Sequence, residues 1–377
     1  MLRRLTVIVA MQYVGSTLGL PLLALFLSHR GGSPTVVGIV VASFFGAGVL
    51  TQYFFGYLAD RFGRQRILVT CLVVFGVASF SYLLPLHAGW FALTRALQGA
   101  SAGAVEVTAL SAVASRFDEN QRGRAFSRIF AAQLLGVVLG PMLGAAATPD
   151  TLGRAFAVSG LLSLGAAYVA ARTDMGMSRH TDEPLPPVVW SRGLVGAMFA
   201  AATGGLLIGV YDTCWSLLMH HQGATAFQIR LSWTLFGLPF LLLTRVGGWL
   251  ADHGNRRVIA LIGMLNGATF LAIYPHLHNV GWVLALGSME SIGAAMTGPS
   301  AMSLLTEGAH DRELSRRQSL YASSNTASLA LTAGLAGALY TADVALPFTV
   351  VAIVAATTAT STLWWWRGIP GHIPHNK

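Results

Sequence analysis

The chain has 377 residues, of which 54% are hydrophobic and only 10% charged; it carries 42 glycines and a formal net charge of +9. A soluble domain has about 25% charged residues, so this composition excludes a water-exposed fold of such length and points to a bilayer. Cys71 and Cys214 both fall within apolar stretches and suggest neither a disulfide framework nor a metal site.

A membrane-crossing helix needs about 20 largely apolar residues. Six such stretches occur at Leu5–Leu27, Thr35–Ala59, Ile67–Leu86, Gly89–Ala114, Ala125–Ala147 and Ala155–Ala171. Six more follow at Leu194–Met219, Ile229–Ala251, Val258–Tyr274, Val280–Leu305, Leu320–Tyr340 and Val344–Trp366. Strand alternation is absent, which argues against a β-barrel. The first stretch follows Arg3 and Arg4, but it is too long for a signal peptide, contains Pro21 and shows no clear cleavage site, so it reads as a retained helix. With the N-terminus inside, nearly all arginines fall on inner strips, from Arg3 through Arg61, Arg64, Arg66, Arg116, Arg124, Arg172, Arg256, Arg257 and Arg316 to Arg367. Outer loops hold only Arg30, Arg154 and, at a helix mouth, Arg230. This bias predicts a multi-pass protein of a bacterial inner (plasma) membrane with both termini cytoplasmic. The positive charge is then topological, and nucleic-acid binding is not expected.

An internal repeat divides the chain. At an offset of 192 residues His29-Arg30-Gly31 maps onto His221-Gln222-Gly223, and Gly56-Tyr57-Leu58-Ala59-Asp60 onto Gly248-Trp249-Leu250-Ala251-Asp252. Trp90 likewise maps onto Trp282, and Arg124 onto Arg316. The strip between the halves is polar and holds Pro184, Pro186 and Pro187. The expected organisation is all-α: an N-terminal six-helix bundle over 1–171, a cytoplasmic linker over 172–192 and a C-terminal six-helix bundle over 193–377.

Three motifs sharpen this reading. In Gly56-Tyr57-Leu58-Ala59-Asp60-Arg61-Phe62-Gly63-Arg64-Gln65-Arg66, Gly56 permits close helix approach, Asp60 can cap a helix N-terminus and Gly63 allows a tight turn. The strip resembles, position for position, the cytoplasmic signature of the major facilitator superfamily. Its copy, Gly248 to Arg257, is one residue shorter and has His253 in place of an arginine. In the fourth helix Arg95-Ala96-Leu97-Gln98-Gly99, with Gly103 after it, looks like the family's arginine-bearing motif linked with proton coupling. In the fifth, Gly136-Val137-Val138-Leu139-Gly140-Pro141-Met142-Leu143-Gly144 resembles the motif found mainly in the family's antiporters. The second half has Thr332-Ala333 where the first has Gly140-Pro141, so this motif is no by-product of duplication. The resemblance covers the whole chain and lies nearest the twelve-helix drug–proton antiporter branch. It implies two pseudo-symmetric bundles, alternating access, a gating motif of Gly56, Asp60, Arg61, Gly63, Arg64 and Asp252, and an antiporter motif of Gly136, Gly140, Pro141 and Gly144.

A charge at mid-membrane costs from about 2.5 kcal/mol upward, so it is expected to face a cavity or a partner. Arg95 and Glu106 lie in the fourth helix, Asp212 in the seventh, Arg230 and Arg245 in the eighth and Glu290 in the tenth. In the family resembled, helices one, four, seven and ten line the central cavity, which makes Glu106, Asp212 and Glu290 proton-coupling candidates with Arg95 tuning them. At about 1.5 Å rise per residue, Arg95 and Asp212 lie at similar depths, Glu290 nearer mid-plane, and Glu106 roughly 16 Å beyond Arg95 on the same face. An Arg95–Asp212 gate pair is expected, leaving Glu106 or Glu290 to carry the proton. The first helix offers Gln12, Ser16 and Thr17 where the family often has an acid. Gln12, Gln98, Trp215, Trp233 and Asn325 are candidates for a substrate cavity, and Trp364-Trp365-Trp366 for an interfacial anchor.

No Gly-x-x-x-x-Gly-Lys loop and no nucleophile–base arrangement is found, so neither ATP nor catalysis is expected. The expected protein is a monomeric, cofactor-free exporter of small amphipathic organic molecules, as in multidrug or metabolite efflux, driven by the proton gradient. Its partners are the small-molecule substrate, protons and the lipid bilayer. Alternatives are a proton symporter or facilitator for nutrient uptake and a transport-inactive receptor or scaffold.

Overall fold

The computed structural model describes residues 1–117, 119–144, 148, 150–175, 190–307 and 311–371. In lipid the backbone must satisfy its own hydrogen bonds, and the described residues do so as helices joined by short turns, with no strand among them. They form two compact units, Met1–Asp182 and Glu183–Lys377. Residues 176–189 of the expected linker lie outside the described residues.

In the first unit α1 runs Leu2–Leu18, tightens into a 3-10 turn at Leu20–Leu22 and resumes at Leu23–His29. Pro21 in that turn has no N–H to continue the ladder, which accounts for the break. α2 (Pro34–Phe62), α3 (Arg64–Phe80), α4 (Phe91–Arg116), α5 (Glu119–Leu143) and α6 (Leu152–Ala171) follow. Ser33 caps α2 by accepting from the Val36 N–H at 3.4 Å, and Pro34 occupies the first turn, where no N–H is needed.

In the second unit the helices are α7 (Arg192–His221), α8 (Ala226–His253), α9 (Arg256–Ile273), α10 (Val280–Thr306), α11 (Asp311–Ala342) and α12 (Leu346–Trp365). Their starts are marked locally by Ser191, by a Thr225–Gln228 capping box, and by Asn255 and Asn279. α11 starts at Asp311 rather than the expected Leu320, because its charged first turns are helical without being apolar.

Ten of these helices are long and apolar enough to cross a membrane. The other two, α4 and α11, are 26 and 32 residues long but carry more polar residues, Arg95, Gln98 and Glu106 among them in α4. Large apolar side chains point outward, with Leu50 81%, Leu242 66% and Ile353 62% exposed. Water would penalise such a surface and lipid does not. Inside the first unit Leu5, Ile8, Leu72, Val105, Ile129 and several alanines pack together. In the second, Trp366 joins a core with Ala200, Met264 and Leu304. The expected aromatic anchor is therefore divided: Trp364 is 53% exposed, whereas Trp366 is fully buried against Gly196, where a Cβ would overlap its indole.

Candidate functional site

Arg95 and Gln98 belong to one buried cluster in the first unit. Arg95 Nη1 donates to Gln98 Oε1 at 3.3 Å, and Gln98 Nε2 donates to Ser79 Oγ of α3 at 2.8 Å. The guanidinium lies 4.1 Å from the centroid of the Phe44 ring on α2, a close cation–π contact. Arg95 is 2% exposed and Gln98 fully buried, so Gln98 is engaged in the α3–α4 seam.

Glu106, nearly three turns further along α4, has different company. Tyr13 of α1 and Gln133 of α5 are polar side chains beside its carboxyl group. Tyr13 has a second role, because a Cβ at Gly136 of α5 would overlap Tyr13 Cβ. At Gly140 it would overlap Thr17 Oγ1, and at Gly144 the Leu18 carbonyl. Thr17 Oγ1 donates across the seam to the Gly136 carbonyl at 3.0 Å. The three glycines thus form the surface on which α1 lies, with buried Pro141 beside them. Glu106, α1 and the helix-five motif, read separately in the sequence, meet at Tyr13. Gln12, one residue away, turns the other way: its Oε1 accepts from Ser163 Oγ of α6 at 3.0 Å.

In the second unit Glu290 is 4% exposed, on α10. Tyr211 of α7 donates to its Oε1 at 2.7 Å and Tyr274, just past α9, to its Oε2 at 2.8 Å. Asn266 of α9 donates to the Glu290 backbone carbonyl at 3.0 Å. Trp215 closes the group, with ring centroids 5.5 Å from Tyr211 and 4.8 Å from Tyr274, and its Nε1 donates to Ser232 at 2.8 Å. Two phenol donors satisfy a charged carboxylate. On protonation the acid gains an O–H that needs an acceptor, so one phenol must turn. The 192-residue repeat carries Tyr82 onto Tyr274 and Gln98 onto Glu290, so a neutral amide occupies in one half the place of a carboxylate in the other.

The remaining candidates are dispersed. Asp212 is buried at 7% exposure on α7. Asn325 Nδ2 donates to the Ala201 carbonyl at 2.9 Å and so ties α11 to α7. Trp233 sits half-buried on α8, its indole N–H without a partner among the described residues.

The two strips expected to gate lie at the turns after α2 and α8. Gly63 takes φ +95°, a conformation that favours glycine, and lets α3 start directly after α2. Arg61 is exposed over the Phe62 ring and Arg64 is buried. Gly56 and Asp60 fall within α2 and in their side-chain surroundings lie outside the described residues. In the second copy Asp252 is exposed, while Arg256 Nη2 pairs with Glu307 at 2.5 Å and donates to the Pro370 carbonyl at 3.1 Å. Equivalent positions do equivalent work: Gln65 donates to the Ala171 carbonyl at the end of α6, and Arg257 to the Trp366 carbonyl at the end of α12.

Sequence reasoning missed Tyr13, Gln133, Tyr211, Tyr274 and Asn266. Only Tyr274 left a signal, through its repeat partner Tyr82.

The family model of the Major Facilitator Superfamily matches residues 5–211 and 193–377. An uncharacterised MFS-type transporter of Mycobacterium tuberculosis is 28% identical over 279 residues, a match covering 74% of this chain but only 38% of that protein. Multidrug resistance protein 2 of Bacillus subtilis is 24% identical over 270 residues, 66% of each chain. A solved D-xylose–proton symporter shares the fold with a TM-score of 0.78 at 17% identity, over 97% of both chains. The apolar helices make the chain a multi-pass membrane protein, and with the family model matching along its length it belongs to the Major Facilitator Superfamily.

Proposed function

We propose that the chain is a proton-coupled exporter of small amphipathic organic molecules, working by alternating access with both termini in the cytoplasm. The observation that carries this reading is the placement of Tyr13, whose side chain lies beside Glu106 while its Cβ rests on Gly136 of the helix-five motif. A carboxylate in a bilayer is costly while charged. A proton entering or leaving Glu106 changes that charge beside the α1–α5 seam, the contact an antiporter motif would use. Glu290 provides a second site of the same kind, its two phenol partners drawn from different helices. The Bacillus subtilis relative is named for multidrug resistance, which supports organic molecules as cargo.

The test is efflux of a panel of organic dyes and drugs from cells lacking their major pumps, with and without a protonophore. Efflux that stops with the protonophore, together with an inward proton gradient driving substrate out of proteoliposomes, is the expected result. Protons and substrate moving in the same direction would establish the uptake reading instead.

A further inference from the structure

The ends of α3 and α6 nearest the first gating strip border a cavity of about 400 Å³, lined by Gln65, Arg66, Val69, Thr70 and Ala171. Gln65 is committed to the Ala170 and Ala171 carbonyls at 3.2 and 2.7 Å, which ties the two helices together at this level. Arg66 is different: it is exposed, and its guanidinium has no protein partner among the described residues. Arg172, which directly follows the lining residue Ala171, stands 4.5 Å from the centroid of the Tyr168 ring. Arg4 Nη1 donates to the Arg172 carbonyl at 2.5 Å, adding a third guanidinium at this end. Asp174, two residues on, lies 3.7 Å from Arg116.

Away from this basic end both helices turn apolar. Residues 66, 70, 73 and 77 recur on one face of α3, and Val73 and Val77 are 38% and 61% exposed. On α6 Tyr168 and Leu161, seven residues apart, are 59% and 61% exposed. A recess that is cationic at one end and apolar beyond matches an amphiphile with an anionic head. It does not match a free anion, which has no use for the apolar part. Basic pockets between helices on the cytoplasmic side recognise anionic headgroups in this way, and the arginine distribution puts this end there. We propose that this groove binds an anionic phospholipid, its phosphate held by Arg66 and Arg172 and an acyl chain lying along Val73, Val77 and Leu161.

The experiment is native mass spectrometry of the full chain, titrated with phosphatidylglycerol or phosphatidylcholine, for wild type, Arg66→Gln, Arg66→Lys and the Arg66→Gln/Arg172→Gln pair. Phosphatidylglycerol should be retained in preference to phosphatidylcholine. Each guanidinium lost should weaken its affinity about fivefold, and the pair about twenty-five-fold. Arg66→Lys keeps the charge and should stay within about twofold of wild type, which separates loss of the ligand from loss of the fold. Millimolar inorganic phosphate should leave the lipid bound. Equal retention of the two lipids, unchanged affinity in the double variant, or displacement of the lipid by phosphate alone would overturn the assignment.

Discussion

Replacing Gly140 by alanine adds one carbon to α5 where it touches α1. On an exposed helix this exchange is favourable by up to about 1 kcal/mol, since alanine is the better helix former. Here the new carbon would overlap Thr17 Oγ1 and lie 2.9 Å from the Val14 carbonyl oxygen and 3.0 Å from Thr17 Cβ. The carbonyl is backbone and cannot rotate aside. The two helices must separate by roughly half an ångström to regain an ordinary contact of about 3.5 Å, and the bond from Thr17 to the Gly136 carbonyl stretches with them. Overpacking of this kind costs about 1–3 kcal/mol and a weakened hydrogen bond up to about 1 more, which together outweigh the gain in helix propensity. The expected result for Gly140→Ala is a net loss of about 1–3 kcal/mol. It should appear as a lower Tm in detergent and slower or leakier efflux at matched expression. Adding Thr17→Gly removes both Oγ1 and Cβ and should recover part of that loss, a non-additive outcome diagnostic of direct contact. A Gly140→Ala protein with Tm and efflux at or above wild type would refute the reasoning.

Other predictions concern the acids and their partners. Glu106→Gln or Glu290→Gln should abolish gradient-driven efflux while keeping substrate binding or downhill exchange; if both retain full proton-driven transport and Asp212→Asn loses it, the proton rides on α7. Tyr13→Phe keeps the Cβ against Gly136 and removes only the hydroxyl, so stability should change by no more than about 1 kcal/mol while proton-driven efflux falls severalfold. Unaltered efflux from that variant would dissociate Tyr13 from Glu106. Asp60→Asn should slow transport severely with substrate affinity nearly unchanged, whereas Asp252→Asn, at an exposed acid, should transport close to wild type. Initial rates across substrate concentrations distinguish the two, and equal impairment would mean both copies of the strip gate.

Much of the architecture was legible in one dimension. Apolar length sets where a helix can cross a bilayer, and helical hydrogen bonds are local, so the twelve stretches and the glycine and proline motifs could be read directly. Cap residues such as Ser33, Thr225 and Asn255 act within one turn of their helix. The side chains that hold the acids were not legible in this way. Tyr211 and Tyr274 stand 79 and 16 residues from Glu290 in the chain, and Gln12, Gln98 and Asn325 proved to be engaged with neighbouring helices. In a soluble helix the apolar stripe marks the inward face. Here the lipid-facing and helix-facing sides are both apolar, so periodicity does not say which way a polar residue turns. Tyr13 and Gln12 are adjacent in sequence, yet one meets Glu106 and the other Ser163. That choice is made by how closely α1 lies on Gly136 and Gly140, and only the packed bundle determines it.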